Sequence, residues 1–188
     1  MLKPVQEKKL THFFNILDNN KNGQLQQDDF EGIGENININ LAVTPGSDDY
    51  NYVMEKSQEL YRYLIDGLGK QPGDAILLSD WLTYFDQEII SARNVELLKK
   101  LIQITVKHVF DLYDQNKDGM IELDEYLDMF TIYRIDVKYS AKSFTLLDKN
   151  QDEVISKKEL VEAVKDFFVS SKEDTPGNWI FGNWQGDD

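Results

Sequence analysis

Three acidic segments of the chain repeat the same order of oxygen-bearing side chains. Residues 18–29, 114–125 and 148–159 each carry an acid at their first and twelfth positions, asparagine at the third, and asparagine or aspartate at the fifth. Carboxylate and amide oxygens grouped in this way suit a hard divalent cation, and calcium takes about six to eight such ligands. The repeat therefore predicts three cation-binding loops, which we number loop one, loop three and loop four.

A twelve-residue loop of this kind uses positions 1, 3, 5, 7, 9 and 12, with a backbone carbonyl at position 7. The predicted ligands of loop one are Asp18, Asn20, Asn22, Gln24 and Asp29. Those of loop three are Asp114, Asn116, Asp118, Met120, Glu122 and Glu125, and those of loop four are Asp148, Asn150, Asp152, Val154 and Glu159. Gln24, Met120 and Val154 stand at position 7 and contribute their carbonyl oxygens only.

The three loops differ in carboxylate content and in the residue at the sharp turn. Loop three has the most carboxylates and keeps Gly119 at the turn, so we expect it to be the tightest site. Loop four has Glu153 there, where a left-handed backbone costs about 1 kcal/mol, and should bind more weakly. Loop one has only Asp18 and Asp29 as charged ligands. Because Asp29 is shorter than glutamate, six-coordinate magnesium is an alternative occupant of this loop.

A fourth segment, residues 69–80 or loop two, has the same apolar flanks without the ligands. Its ligand positions include Gly69, Gln71, Gly73 and Asp80. One carboxylate cannot replace the water shell of a divalent ion, so loop two is expected to be a structural partner that binds no metal.

Apolar residues recur at helical spacing on both sides of every loop. Eight helices are predicted, over residues 5–17, 27–39, 49–67, 79–91, 93–113, 123–133, 138–147 and 157–169. The apolar residue at position 8 of each loop predicts a short extended pairing, Leu25 with Ile76 and Ile121 with Ile155.

The predicted fold class is all-α, with four helix-loop-helix units in two pairs packed into one compact globule and short β-ladders between paired loops. Residues 1–92 form the N-terminal pair, with the first loop active and the second degenerate. Residues 93–188 form the C-terminal pair, with both loops active and an apolar tail at 171–188. Four large apolar residues in that tail predict that it docks as a plug over the groove of one half, with a lid over a small-molecule cavity as the alternative.

Composition excludes several classes of function. The chain has 188 residues, a formal net charge of −14 and no cysteine. Such an acidic surface repels nucleic acid and anionic membranes, and disulfides and thiolate sites are ruled out. His12 and His108 are expected to be exposed and not catalytic. No signal peptide or membrane helix is evident, so the expected location is the cytoplasm.

The loops, the degenerate second repeat, the insertion in the first half and the tail segment Gly-Asn-Trp-Ile-Phe-Gly resemble the sarcoplasmic calcium-binding proteins of the EF-hand superfamily. Residues 167–182 look most like calexcitin, and more distantly like coelenterazine-binding proteins. The resemblance implies four EF-hand units in a cytosolic calcium buffer or signal modulator. The luminescent photoproteins of the superfamily carry a histidine where this chain has Leu10, and a histidine and tryptophan in the last helix where it has Asp166, Phe167 and Phe168.

The leading hypothesis is therefore a monomeric cytosolic calcium buffer or signal modulator with three metal sites and no catalysis. Two alternatives remain open at this point. One is a calcium-triggered sensor that opens and grips a target protein, although only four methionines are available for an adaptable groove. The other is a calcium-regulated carrier of an apolar small molecule.

Overall fold

The computed structural model describes residues 1–186, and within this range the chain forms eight α-helices and four two-residue strands. In chain order these are α1 (Pro4–Leu17), β1 (Gln24–Leu25), α2 (Gln27–Asn40), α3 (Asp48–Gly67), β2 (Ile76–Leu77), α4 (Leu78–Tyr84), α5 (Val95–Tyr113), β3 (Met120–Ile121), α6 (Leu123–Ile132), α7 (Ser140–Leu147), β4 (Ile155–Ser156) and α8 (Lys157–Val169). Asp187 and Asp188, the end of the predicted tail, lie outside the described residues.

The helix ends follow local capping chemistry. Ser47 begins α3 by accepting a hydrogen bond from the amide of Tyr50, and Asn94 begins α5 by accepting one from the amide of Leu97. Because Arg93 has a left-handed backbone with φ 51°, α5 starts two residues later than predicted. The predicted helix 79–91 is α4 continued by a π-helical segment, Phe85–Ser91.

Two antiparallel ladders join the loops in pairs, as predicted. Leu25 pairs with Ile76, and Ile121 pairs with Ile155. All four side chains are at most 1% exposed. Each ladder therefore brings two helix-loop-helix units together and places their loops side by side.

The core between the two halves is aromatic. Phe13 of α1 contacts Trp81 of α4 at a centroid distance of 5.9 Å and Phe168 of α8 at 6.0 Å. Phe85 stacks on Phe168 at 5.4 Å. Because α1 belongs to the N-terminal half and α8 to the C-terminal half, these rings form one continuous core.

The tail docks, but the expectation that it covers one half is wrong. A short 3₁₀ turn, Pro176–Trp179, leads to Ile180 and Phe181, which are buried. The carbonyl of Ile180 accepts a hydrogen bond from the hydroxyl of Tyr126 in α6 at 2.7 Å, whereas Phe181 packs on Phe13 in α1. The tail therefore contacts both halves, because its apolar groups complete the interface between them.

A buried lysine fastens the tail to the helices. Lys9 of α1 is 0% exposed, and its Nζ donates to the carbonyls of Asp166 and Ser170 and to Oδ1 of Asn178. The two carbonyls belong to the C-terminal end of α8, which carries partial negative charge. Burial lowers the pKa of Lys9 to about 8, although the charge of Asp166 opposes the shift.

The two histidines are not exposed, contrary to the expectation from the repeat. Nε2 of His12 lies 2.7 Å from the carbonyl oxygen of Phe181, and Nε2 of His108 lies 2.9 Å from the hydroxyl of Tyr133. The tail covers the first ring, and the C-terminal end of α6 covers the second. No helix among residues 1–186 has both the length and the apolar character needed to cross a bilayer.

Candidate metal centres in three loops

The acid at position 12 of each candidate loop lies in the first turn of the helix that leaves the loop. There it accepts a hydrogen bond from the backbone amide at position 9, which begins that helix. The donor and acceptor pairs are Gln26 to Asp29 at 2.9 Å, Glu122 to Glu125 at 3.0 Å and Ser156 to Glu159 at 2.9 Å. This capping hydrogen bond therefore holds the position-12 carboxylate in place without a bound ion.

The second oxygen of the same carboxylate reaches back across the loop to its beginning. Asp29 accepts from the amide of Asn20 at 3.1 Å. Glu125 accepts from the amide of Gln115 at 2.8 Å, and Glu159 from that of Lys149 at 2.9 Å. The twelfth position is thus folded over the first three in each of the three loops.

The acid at position 1 ends the entering helix and organises the turn. Its two oxygens accept from the amides at positions 5 and 6. These pairs are Asn22 and Gly23 to Asp18, Asp118 and Gly119 to Asp114, and Asp152 and Glu153 to Asp148. The position-1 carboxylate is therefore tied to the backbone of the turn in every loop.

All three loops require a left-handed backbone at positions 4 and 6. Position 6 has φ 82° at Gly23, 82° at Gly119 and 69° at Glu153, as predicted for the sharp turn. Position 4 is also left-handed in each loop, at Lys21, Lys117 and Gln151. The sequence analysis missed position 4, because lysine and glutamine carry no signal for this conformation.

The carboxylates have unlike electrostatic surroundings. Burial raises the pKa of Asp29 against the hydrogen bonds that its oxygens accept. For Glu159, burial alone would raise the pKa, but hydrogen bonds from Ser156 and from two loop amides outweigh it and lower the value. Partial desolvation and the charges of Asp124, Glu125 and Asp118 raise the pKa of Glu122. A cation in loop three would relieve that repulsion.

The donor set fits calcium only when amide and backbone oxygens are included. In the part of the chain that the structure describes, no three histidine, cysteine, aspartate or glutamate side chains converge into a ready cation site. Asparagine at position 3 and the carbonyl at position 7 would supply the missing oxygens, which are the hard ligands that calcium and magnesium prefer. Loops one, three and four all contain them.

Loop two lacks this arrangement. Its left-handed residues are Gly69 and Gly73, at positions 1 and 5 instead of 4 and 6. The amide of Gln71 donates to the carboxylate of Asp74 at 2.9 Å, which makes a local turn instead of a ring of oxygens. Asp80 is the one carboxylate at the predicted ligand positions of this loop.

The repeated geometry coincides with a match to a known family. The family model described as EF hand matches residues 106–130, which include the end of α5, all of loop three and most of α6. The same helix-loop-helix arrangement recurs at loops one and four. The segment around loop three is therefore similar to an EF hand.

Two curated relatives resemble this chain over much of its length. Calerythrin of Saccharopolyspora erythraea is 25% identical over 170 residues, covering 89% of this chain and 94% of calerythrin. The sarcoplasmic calcium-binding proteins I, III and IV of Branchiostoma lanceolatum are 26% identical over 129 residues, covering 66% of this chain and 68% of theirs. The resemblance to sarcoplasmic calcium-binding proteins is therefore confirmed.

A solved structure shares the fold of this chain. The coelenterazine-binding protein from Renilla muelleri, in its calcium-loaded apo form, gives a TM-score of 0.74 at 21% identity. The match covers 97% of this chain and 99% of the other. None of these three proteins is an enzyme by name. At this identity the structural likeness describes the compact four-unit fold alone.

Proposed function

We propose that this protein binds calcium through loops one, three and four and acts as a calcium buffer or signal modulator in the cytoplasm. The observation that carries the proposal is the position-12 carboxylate, which is buried in all three loops and reaches both the ninth amide and the start of its loop. The names of the relatives support calcium as the ion. A net charge of −14 also favours cations near the surface.

The sixteen residues named in the sequence analysis are the proposed ligands. Loop three is the tightest site, loop four is weaker because of Glu153, and loop one takes calcium or magnesium. Residues 1–92 and 93–188 are the two halves, and the chain acts as a monomer without catalytic activity.

The docked tail favours a buffer over a target-gripping sensor. A sensor would have to expose an apolar groove on binding calcium. Here Ile180, Phe181 and Trp184 are already buried against the helices, so that surface is covered within the chain itself.

The same core weakens the case for an apolar carrier. A carrier needs an apolar space, whereas Phe13, Phe167 and Phe181 contact one another at centroid distances of 4.4 to 5.8 Å in the centre of this chain. The resemblance to the coelenterazine-binding protein is the observation that keeps this candidate under test.

Calorimetric titration of the metal-free protein with calcium, with and without magnesium, tests the proposal. We expect three binding events, of which magnesium weakens mainly the one in loop one. Glu125→Gln should remove one event, because the neutral amide no longer offers two carboxylate oxygens. Asp124→Asn, next to it but outside the ligand set, is the matched control.

An environment-sensitive apolar dye, followed in the same titration, separates the three hypotheses. No rise in dye binding supports the buffer, and a large calcium-driven rise would favour the sensor. An apolar ligand that copurifies with the protein would favour the carrier. Unchanged stoichiometry in Glu125→Gln would remove loop three from the proposal.

A further inference from the structure

The position-12 carboxylate of loop two has a different partner from those of the other loops. Like them, Asp80 accepts from the amide at position 9, here Leu77 at 3.2 Å. In the other loops a backbone amide at position 2 or 3 completes the contact. In loop two the side chain at position 2 does so, because Nζ of Lys70 lies 2.9 Å from Oδ2 of Asp80.

An ammonium group therefore lies on the carboxylate that would hold the ion in an active loop. Both side chains are partly shielded, with relative exposures of 25% for Lys70 and 34% for Asp80. The hydrogen bond from Lys70 is also the largest cause of the lowered pKa of Asp80. The carboxylate thus has a cation beside it without any metal.

The rest of loop two is closed by contacts within the protein. The amide of Lys70 donates to the carbonyl of Ile65 at the end of α3. The hydroxyl of Tyr61 donates to the carbonyl of Asp74 at 3.2 Å. Both contacts are made between groups of the protein itself.

We propose that Lys70 is a positioning residue whose ammonium replaces the metal ion in loop two and holds this loop closed at every calcium concentration. Asp80 lies in the first turn of α4, so the ion pair ties the leaving helix to the beginning of the loop. Loop two then resembles a permanently filled partner.

The ladder carries this effect to loop one. Ile76 and Leu77 of β2 pair with Leu25 and Gln24 of β1, and Gln24 is the proposed position-7 ligand. A fixed β2 therefore restrains part of loop one before its ion arrives, which reduces the ordering that binding requires. This second step rests on the proposed function, because it concerns calcium in loop one.

The experiment compares Lys70→Met with Lys99→Met. Both changes remove an ammonium and keep an apolar stem, but Lys99 pairs with Glu96 on the surface of α5, away from the loops. In the metal-free protein, we expect the amides of Leu25 and Leu77 to exchange hydrogen faster in Lys70→Met only. Lys70→Arg should restore their protection, because it keeps a cation at the same place.

Calcium titration supplies the second measurement. A partly exposed ion pair contributes only modestly to stability. Lys70→Met should therefore lower the calcium affinity of loop one by about two- to fivefold and leave the affinities of loops three and four unchanged. Asp80→Asn should have the same effect, and the double variant should be no weaker than either single variant.

The outcomes distinguish this inference from the proposed function. Equal exchange in Lys70→Met and Lys99→Met would overturn the role of Lys70, whatever the metal content. Faster exchange in Lys70→Met with no binding event in loop one of the unmodified protein would support the ion pair and remove loop one from the proposed sites. Equal loop-one affinity in both variants would overturn the coupling through the ladder.

Discussion

Phe13 of α1 and Phe181 of the tail stack face to face, with ring centroids 4.4 Å apart and ring planes 13° from parallel. Phe181 also meets the edge of Phe167 in α8 at 5.0 Å. One tail residue thus joins the first helix of the N-terminal half to the last helix of the C-terminal half.

Phe181→Ala should destabilise the whole protein by about 3–5 kcal/mol, because it removes a buried ring from a core that cannot collapse fully. Urea unfolding of the metal-free protein measures the change. Ile39→Ala is the control, since Ile39 is 76% exposed and its truncation should cost little. A loss below 1 kcal/mol for Phe181→Ala would show that the tail does not stabilise the core.

Glu153→Gly should tighten calcium binding in loop four about fivefold to tenfold. The residue has φ 69°, a conformation that glycine adopts without the cost borne by a side chain. Calorimetry on the two proteins measures the difference. The reciprocal change, Gly119→Glu, should weaken loop three by a similar factor, and an unchanged affinity in both variants would contradict the strain argument.

Asp29→Glu should raise the preference of loop one for calcium over magnesium, on the order of tenfold or ~1.4 kcal/mol. The longer side chain can bring a second oxygen to the larger ion, whereas six-coordinate magnesium gains less from it. Parallel titrations with the two metals give the ratio. Glu125→Asp should lower the preference of loop three for calcium over magnesium. If neither change alters the ratio of calcium to magnesium affinity, position 12 does not determine the selectivity.

Acid should destabilise the metal-free protein through His108. Burial lowers the pKa of this ring to about 4, although the backbone at Lys56 and the charges of Asp111 and Glu59 oppose the shift. The positive charge of Lys107 reinforces the lowering. The unfolded chain therefore takes up the proton first as the pH falls below about 6.5, and stability is lost progressively down to about pH 4.

The pH effect is measured by urea unfolding in chelator at several pH values, with His108→Gln beside the unmodified protein. Both should lose stability in acid because carboxylates titrate there too, but the variant should lose less between pH 6.5 and 4. Parallel profiles would show that His108 is not responsible.

Local spacing predicted the repeated parts of the structure. The residues at position 8 paired in the expected register, because one apolar side chain in a two-residue strand leaves a single way to bury it. The helix bounds agreed closely, since caps and apolar spacing are written in neighbouring residues. The sharp turn at Glu153 followed from the loop alignment for the same reason.

Contacts between distant residues were not predictable in this way. Lys9 reads as a surface residue, yet the carbonyls at the end of α8 and Asn178 create a polar site for it in the core. His12 and His108 were misjudged because their covering groups come from the tail and from α6. Lys70 was not predicted, because it stands at position 2 of loop two, which is not one of the oxygen-ligand positions. Its ammonium nitrogen takes the place proposed for an ion.

The pairing of loops through two-residue ladders gives the two halves unequal responses. In the C-terminal half two proposed sites share one ladder, so filling either can favour the other, and the Hill coefficient of that half can exceed one. In the N-terminal half the partner of loop one is already closed by Lys70, which leaves a single site with a graded, hyperbolic response. One chain would then combine a steep calcium response with a shallow one.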